Sequence, residues 1–306
     1  MRKNFKLTLV ALALLALTAC EKEPAIVHDG ERYPILFGNY ETRATAGLDD
    51  LKGDGFKVYA YLKGNTNNSH TFEKEVTYSS AQNVWGYEGL EYWIPGATYW
   101  FKAFYPTVPS AGTLTVDNTS STQPFTITDF NISEQEDIMV ATAERTVADG
   151  AKLPTNGRNV VDLNFQHLLA NVTIKAKSEI GNVTVSDISL EDIAQTGNYS
   201  NGKWESEQTV TINKQYSGEA LVKNAEDFVD VTGGGFLVIP EAIGGRQKMI
   251  IRTSHKNYDV VIPTITWKPG KKYTYTLTIK QENIEFNEPG VDIWDEENAT
   301  GSVVIK

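Results

Sequence analysis

The run 272–280, Lys-Tyr-Thr-Tyr-Thr-Leu-Thr-Ile-Lys, puts Tyr273, Tyr275, Leu277 and Ile279 on one side of an extended chain and threonine or lysine on the other. Period two is the mark of a strand with one buried face, and it excludes an amphipathic helix, whose apolar residues recur at about 3.6-residue spacing. Val172, Ile174 and Ala176 alternate in the same way against Thr173, Lys175 and Lys177. Further strands are predicted over 56–62, 99–105, 183–190, 209–213, 236–239, 248–253 and 302–305. Turn signals separate them: Asp54-Gly55, Pro95-Gly96, Gly233-Gly234-Gly235, Gly244-Gly245 and Pro269-Gly270. Short strands divided by glycine turns, with no helical pattern longer than about two turns, predict an all-β chain of antiparallel sandwiches. The 306 residues suffice for two such cores. The stretch 148–159, with Gly150, Pro154 and Gly157, has little to bury and is the predicted boundary, so the chain divides at 157/158.

The first twenty residues have a different character. Arg2, Lys3 and Lys6 precede an apolar run over 7–17. That run is too short for a bilayer of about 30 Å, which takes about 20 helical residues, and it reads as an export signal, residues 1–19. It ends in Leu17-Thr18-Ala19-Cys20, which resembles the lipobox of bacterial lipoproteins, and the chain's single cysteine stands where that resemblance needs it. Cys20 is therefore the expected lipidation site and the first residue of the mature chain. Loss of Arg2, Lys3 and Lys6 with the signal takes the net charge from −11 to −14. An acidic body is repelled by an anionic bilayer, so attachment to the outer membrane falls to the acyl chains, at about 0.8 kcal/mol per buried methylene. Glu21-Lys22-Glu23 is similar to the short charged tags that send some lipoproteins of the Bacteroidetes to the cell surface. The same acidic balance argues against nucleic acid as a partner.

Catalytic spacing is hard to find. The sequence holds no Gly-x-Ser-x-Gly elbow, no His-Glu-x-x-His pair, no phosphate-cradling glycine loop and no Cys-x-x-Cys. His167, among apolar neighbours, reads as a hydrogen-bonded structural residue. Asp49, Asp50 and Asp54 fail as a calcium loop because Lys52 takes a ligand position and Tyr61 stands where the closing glutamate belongs. Asp292, Asp295, Glu296 and Glu297 read as a solvated turn. The expectation is a protein without catalysis, metal or cofactor. Residues 85–105 are dense in aromatic rings, and alternation puts Tyr99, Phe101, Ala103 and Tyr105 on one face, as a sandwich core requires. The alternative is a lipid-anchored glycan-binding module using Trp93, Trp100 or Trp294 as a stacking platform.

Several segments, in order, resemble the fimbrillins, lipoprotein subunits of the type V pili of the Bacteroidetes. Thr42-Arg43-Ala44-Thr45 precedes Gly53-Asp54-Gly55-Phe56-Lys57-Val58-Tyr59. Tyr92-Trp93-Ile94-Pro95-Gly96 leads into an aromatic strand that ends at Tyr105-Pro106. Asp137-Ile138-Met139-Val140-Ala141 is followed by 163–172, then by 236–240, by Trp267-Lys268-Pro269-Gly270 and by Ile293-Trp294. The resemblance implies two transthyretin-like β-sandwich domains in tandem, 44–157 and 158–306. It also implies a lipidated tether with a removable first strand over 20–43, and assembly by strand exchange once an arginine-specific protease has acted.

Residues of this chain suit that scheme. Tyr33, Ile35 and Phe37 alternate and are the expected removable strand, with cleavage between Arg43 and Ala44; Arg32 and Arg145 are the other candidate sites. Loss of a first strand opens a sheet edge with unpaired N–H and C=O groups, a template for another strand. Val291 and Ile293, or Val303 and Ile305, alternate suitably to be donated to a neighbour. Head-to-tail contacts of this kind do not close and so grow a filament. The expected partners are other pilin subunits, the protease, the outer membrane through lipid, and surface ligands of host or bacterial cells. The expected location is the cell surface, as an outer membrane lipoprotein and pilus subunit serving adhesion.

Overall fold

The computed structural model describes residues 33–38, 48–64, 69–81, 84–147, 160–216, 220–221, 225–287 and 289–294. The expected strand at 302–305 lies outside them.

The first half of the chain runs through β1 (Leu36–Gly38), a short helix α1 (Leu48–Asp54), β2 (Phe56–Lys63), β3 (Ser69–Ser79), β4 (Val84–Gly86), β5 (Thr98–Tyr105), β6 (Thr113–Val116), β7 (Phe125–Asn131), β8 (Met139–Thr146), β9 (Val160–Asp162) and β10 (Gln166–His167). Six of these form an antiparallel sheet in the order β10-β8-β5-β2-β3-β4. Its inner face carries Phe56, Val58, Ala60 and Leu62 from β2 beside Tyr99, Phe101, Ala103 and Tyr105 from β5, the alternation expected from sequence. The other wall of this core holds Ile35 and Phe37 next to Val161 and Leu163, where β1 and β9 pair in parallel.

The second half comprises β11 (Ala170–Ser178), β12 (Val185–Ser200), β13 (Lys203–Gln215), β14 (Val229–Asp230), β15 (Phe236–Val238), β16 (Ala242–Ile243), β17 (Lys248–Thr253), β18 (Asn257–Val261), β19 (Ile265–Thr266), β20 (Lys271–Ile279), β21 (Ile284–Phe286) and β22 (Gly290–Ile293). Two sheets enclose its core. One runs β14-β11-β20-β21, with β15 beside β11 and β22 beside β20. The other contains β18, β17, β12 and β13. Ala170, Val172, Ile174, Tyr273, Tyr275 and Leu277 from the first meet Val185, Ile188, Leu190, Met249 and Ile251 from the second. Trp267 is sealed in this core, and its indole N–H donates to the Tyr275 hydroxyl at 3.2 Å.

Two observations depart from the local patterns. The alternating runs 172–176 and 273–279 lie side by side in parallel, Val172 opposite Tyr273 and Ala176 opposite Leu277. Alternation fixes which face a residue takes but not the direction of its neighbour. The strand expected to end at 190 instead continues to Ser200, past register shifts near Asp192 and Gly197. Its far end pairs with β7, Thr196 opposite Asn131 and Tyr199 opposite Ile127, so one sheet runs from the second half of the chain into the first. Gln135 reinforces that junction: its amide donates to the Leu237 carbonyl and accepts from the Leu237 N–H, both at 3.0 Å. The expected boundary at 157/158 falls in 148–159, outside the described residues.

The Gly233-Gly234-Gly235 turn signal marks a site where the backbone needs glycine. Gly235 has φ +94°, and a Cβ there would press on the Asn171 amide oxygen and come within 2.8 Å of Thr173 Oγ1. Gly234 has φ +100° but faces open space. Gly235→Ala should lower unfolding stability by about 2–3 kcal/mol, from left-handed strain plus contact, and Gly234→Ala by about 1 kcal/mol, from strain alone. Urea denaturation of the two variants checks the order.

Candidate functional site

The expected removable strand lies in the first core. Ile35 is 0% exposed and Phe37 3% exposed, while Tyr33 is half-buried against the same cluster. The segment is held along both edges. On one side, Pro34 faces Tyr92 in an antiparallel bridge, the Ile35 N–H donates to the Glu91 carbonyl at 2.8 Å, and the Trp93 N–H donates to the Tyr33 carbonyl at 2.9 Å. On the other side, Leu36, Phe37 and Gly38 align with Val160, Val161 and Asp162. The rings of Tyr87 and Phe101 each stand 5.5 Å from that of Phe37, the second edge-on.

The stretch 87–94 acts as a belt over this strand, and two phenols, half-buried Tyr87 and buried Tyr99, fasten its ends. The Tyr87 hydroxyl donates to the Ile35 carbonyl at 2.6 Å and accepts from the Glu91 N–H at 3.3 Å. The Tyr99 hydroxyl accepts from the Ile94 N–H at 2.8 Å and donates to the Tyr92 carbonyl at 3.3 Å. From β3, Lys74 ties the middle, donating to the Gly89 carbonyl at 2.6 Å and pairing with the Glu91 carboxylate at 3.1 Å. Sequence reasoning missed Lys74, Tyr87 and Glu91, because a side chain that holds a remote backbone carbonyl leaves no local period.

The other expected residues are scattered. Cys20, Arg32, Arg43, Ala44, Val303 and Ile305 lie outside the described residues. Arg145 lies within β8, paired opposite Tyr99, and its guanidinium sits 4.7 Å over the Trp93 ring. Burial lowers its pKa, the charge of Asp162 acting in the other direction. The Arg145 backbone is paired along β5, which makes it less accessible to a protease cleft than an open loop. Val291 and Ile293 belong to β22, which pairs antiparallel with β20; Val291 is half-buried and Ile293 is 53% exposed.

The three tryptophans named for the alternative glycan platform differ in setting. Trp93 is 4% exposed, with Tyr99 and Phe101 edge-on to it at 4.8 and 6.0 Å, and it offers no face to a sugar. Its place in a turn, Tyr-Trp-Ile-Pro-Gly, hid this from an alternation argument. Trp100 is half-buried, 5.8 Å from Tyr61. Trp294 stacks on the His167 ring at 3.5 Å, and its backbone N–H donates to the Gly270 carbonyl at 3.1 Å. His167 is buried and bonds the Asp137 carboxylate through Nδ1. It ties β10 to the end of β8 and to the C-terminal tryptophan.

With fold and strand in view, relatives give this geometry a context. The fimbrillin-like family model matches residues 42–294, and the chain belongs to that family of fimbrial subunits. The fimbrium subunit Fim1C of Phocaeicola vulgatus is 21% identical, over 96% of this chain and 97% of its own. The crystal structure of a fimbrial protein from Bacteroides vulgatus superposes with a TM-score of 0.62 at 18% identity, covering 86% of this chain and 99% of that one.

The phenols make the belt sensitive to alkali. Burial pushes the Tyr87 hydroxyl up to about 12, and burial likewise pushes Tyr99 up to about 12. A folded-state value above the ordinary phenol range of about 10 means that their contribution is complete below about pH 10 and lost as pH rises through about 12. Ultraviolet titration of the folded protein should show tyrosines that ionise only near pH 12, together with loss of structure. Ionisation of every tyrosine near pH 10 in a still-folded protein would contradict the arrangement.

Proposed function

We propose that this chain is a cell-surface pilus subunit, made as a lipid-anchored precursor and assembled by exchange of its first strand. Acylation at Cys20 holds the precursor in the outer membrane. Cleavage between Arg43 and Ala44 separates the body from that anchor and from residues 33–38. The vacated groove then accepts a strand from the C-terminal part of a neighbour, and head-to-tail repetition builds a filament that serves adhesion.

One observation carries this reading: Ile35 and Phe37 belong fully to the first core, yet they stand on the N-terminal side of Arg43. Each such side chain contributes about 1.5–3 kcal/mol by burial. The hydrogen bonds to Glu91, Trp93 and Tyr87 add about 1 kcal/mol apiece. A domain's whole stability is about 5–15 kcal/mol, so a body that has lost this strand is strongly driven to take up a substitute. While its own strand is in place, the groove is closed and the precursor stays monomeric.

The test is digestion of the chain from Glu21 onward with an arginine-specific protease, followed by N-terminal sequencing and light scattering. A new terminus at Ala44 with growth of multimers, and no cut at Arg145, is the expected result. A body cut at Arg43 that stays monomeric at all concentrations would refute assembly by strand exchange.

A further inference from the structure

The site filled by Phe37 is walled by rings. Tyr87 and Phe101 touch it, and behind Phe101 stand Trp93, Tyr99 and Phe72 at 6.0, 5.9 and 6.5 Å. An aromatic side chain fills such a site with edge-to-face contacts on its walls. An aliphatic one leaves ring surface uncovered and a void that close-packed interiors do not tolerate well. Two residues earlier, Ile35 is fully buried, while Leu36 between them is half-buried on the other face. The groove therefore reads a three-residue pattern: aliphatic, any spacer, aromatic.

That pattern recurs in β21. Ile284-Glu285-Phe286 repeats the order of Ile35-Leu36-Phe37, and its spacer faces outward, the Glu285 carboxylate pairing with Lys280. β21 is the last strand in its sheet order, with three ladder positions, all on β20. Ile284 and Phe286 are only half-buried there, and Phe286 meets one ring, Tyr275, at 5.3 Å. Moving this edge strand into the groove would take both side chains from partial to full burial. Val291 with Ile293, and Val303 with Ile305, carry an aliphatic residue where the groove takes a ring.

We infer that the Phe37 site selects the incoming strand by its aromatic residue, and that the selected strand is Ile284–Phe286 of a second copy of this chain. The inference rests on the strand-exchange reading above. The experiment uses fluorescently labelled peptides of residues 33–38 and 282–287, titrated into the full digest of the chain cut after Arg43, with binding read by anisotropy. Both peptides should bind. Phe37→Ala and Phe286→Ala in the peptides should each weaken binding at least tenfold, and Leu36→Ala and Glu285→Ala should change it less than twofold. Equal binding by the Phe286→Ala peptide, or binding of 33–38 without 282–287, would overturn the inference and leave strand exchange standing. No binding of 33–38 by a cut chain that light scattering shows to be monomeric would remove strand exchange and the inference with it.

Discussion

The insertion of Ile35 and Phe37 into the first core is the contact on which the rest of this molecule's design depends. A six-stranded sheet has one face to bury, and here much of the opposing wall comes from a strand near the start of the chain. Backbone bonds on both edges and a phenol on its carbonyl hold that strand in the core. Its apolar side chains are nevertheless joined to the body through a segment that carries an arginine. Under the proposed strand exchange, a core completed by this piece would be stable while intact and would leave an open strand site once the piece were cut away.

The second core plays a different part. Its two sheets enclose Trp267, Tyr273 and Tyr275, and β12 runs out of it to pair with β7 of the first half. Gln135 on Leu237, and the His167–Trp294 stack, tie the two halves at further points. In the proposed filament, load would pass between subunits through strands, and a continuous sheet across the junction would spread it over the hydrogen bonds of β12 with β7. The edge formed by β21 and β22 is the lightly held part of this half, with three and four ladder positions on β20.

Much of this was legible in the residues. Strict alternation in 99–105 and 272–280 gave strand, face and core together, because period two admits no other regular structure with one buried side. The shared buried side of Ile35 and Phe37 was readable for the same reason, although the regular strand there is only Leu36–Gly38. What was not legible depends on partners distant in sequence. The parallel pairing of β11 with β20, the run of β12 past Asp192 to Ser200 and the belt fastened by Lys74, Tyr87 and Tyr99 are set by contacts between remote segments. The setting of Trp93 and Trp294, named only in the alternative reading, was not legible because a ring in a turn or near residue 294 shows no period, and only packing tells which way it faces.

Hydrogen exchange at the Ile35 and Trp93 amides of the uncut chain is the most direct measure of whether the first strand belongs to the core. Both amides donate within the ladder that binds this strand. The structure predicts that they exchange as slowly as amides of β5, by opening of the whole first half. Rapid exchange at both, with β5 still protected, would show a strand that merely rests on the surface and would contradict the account.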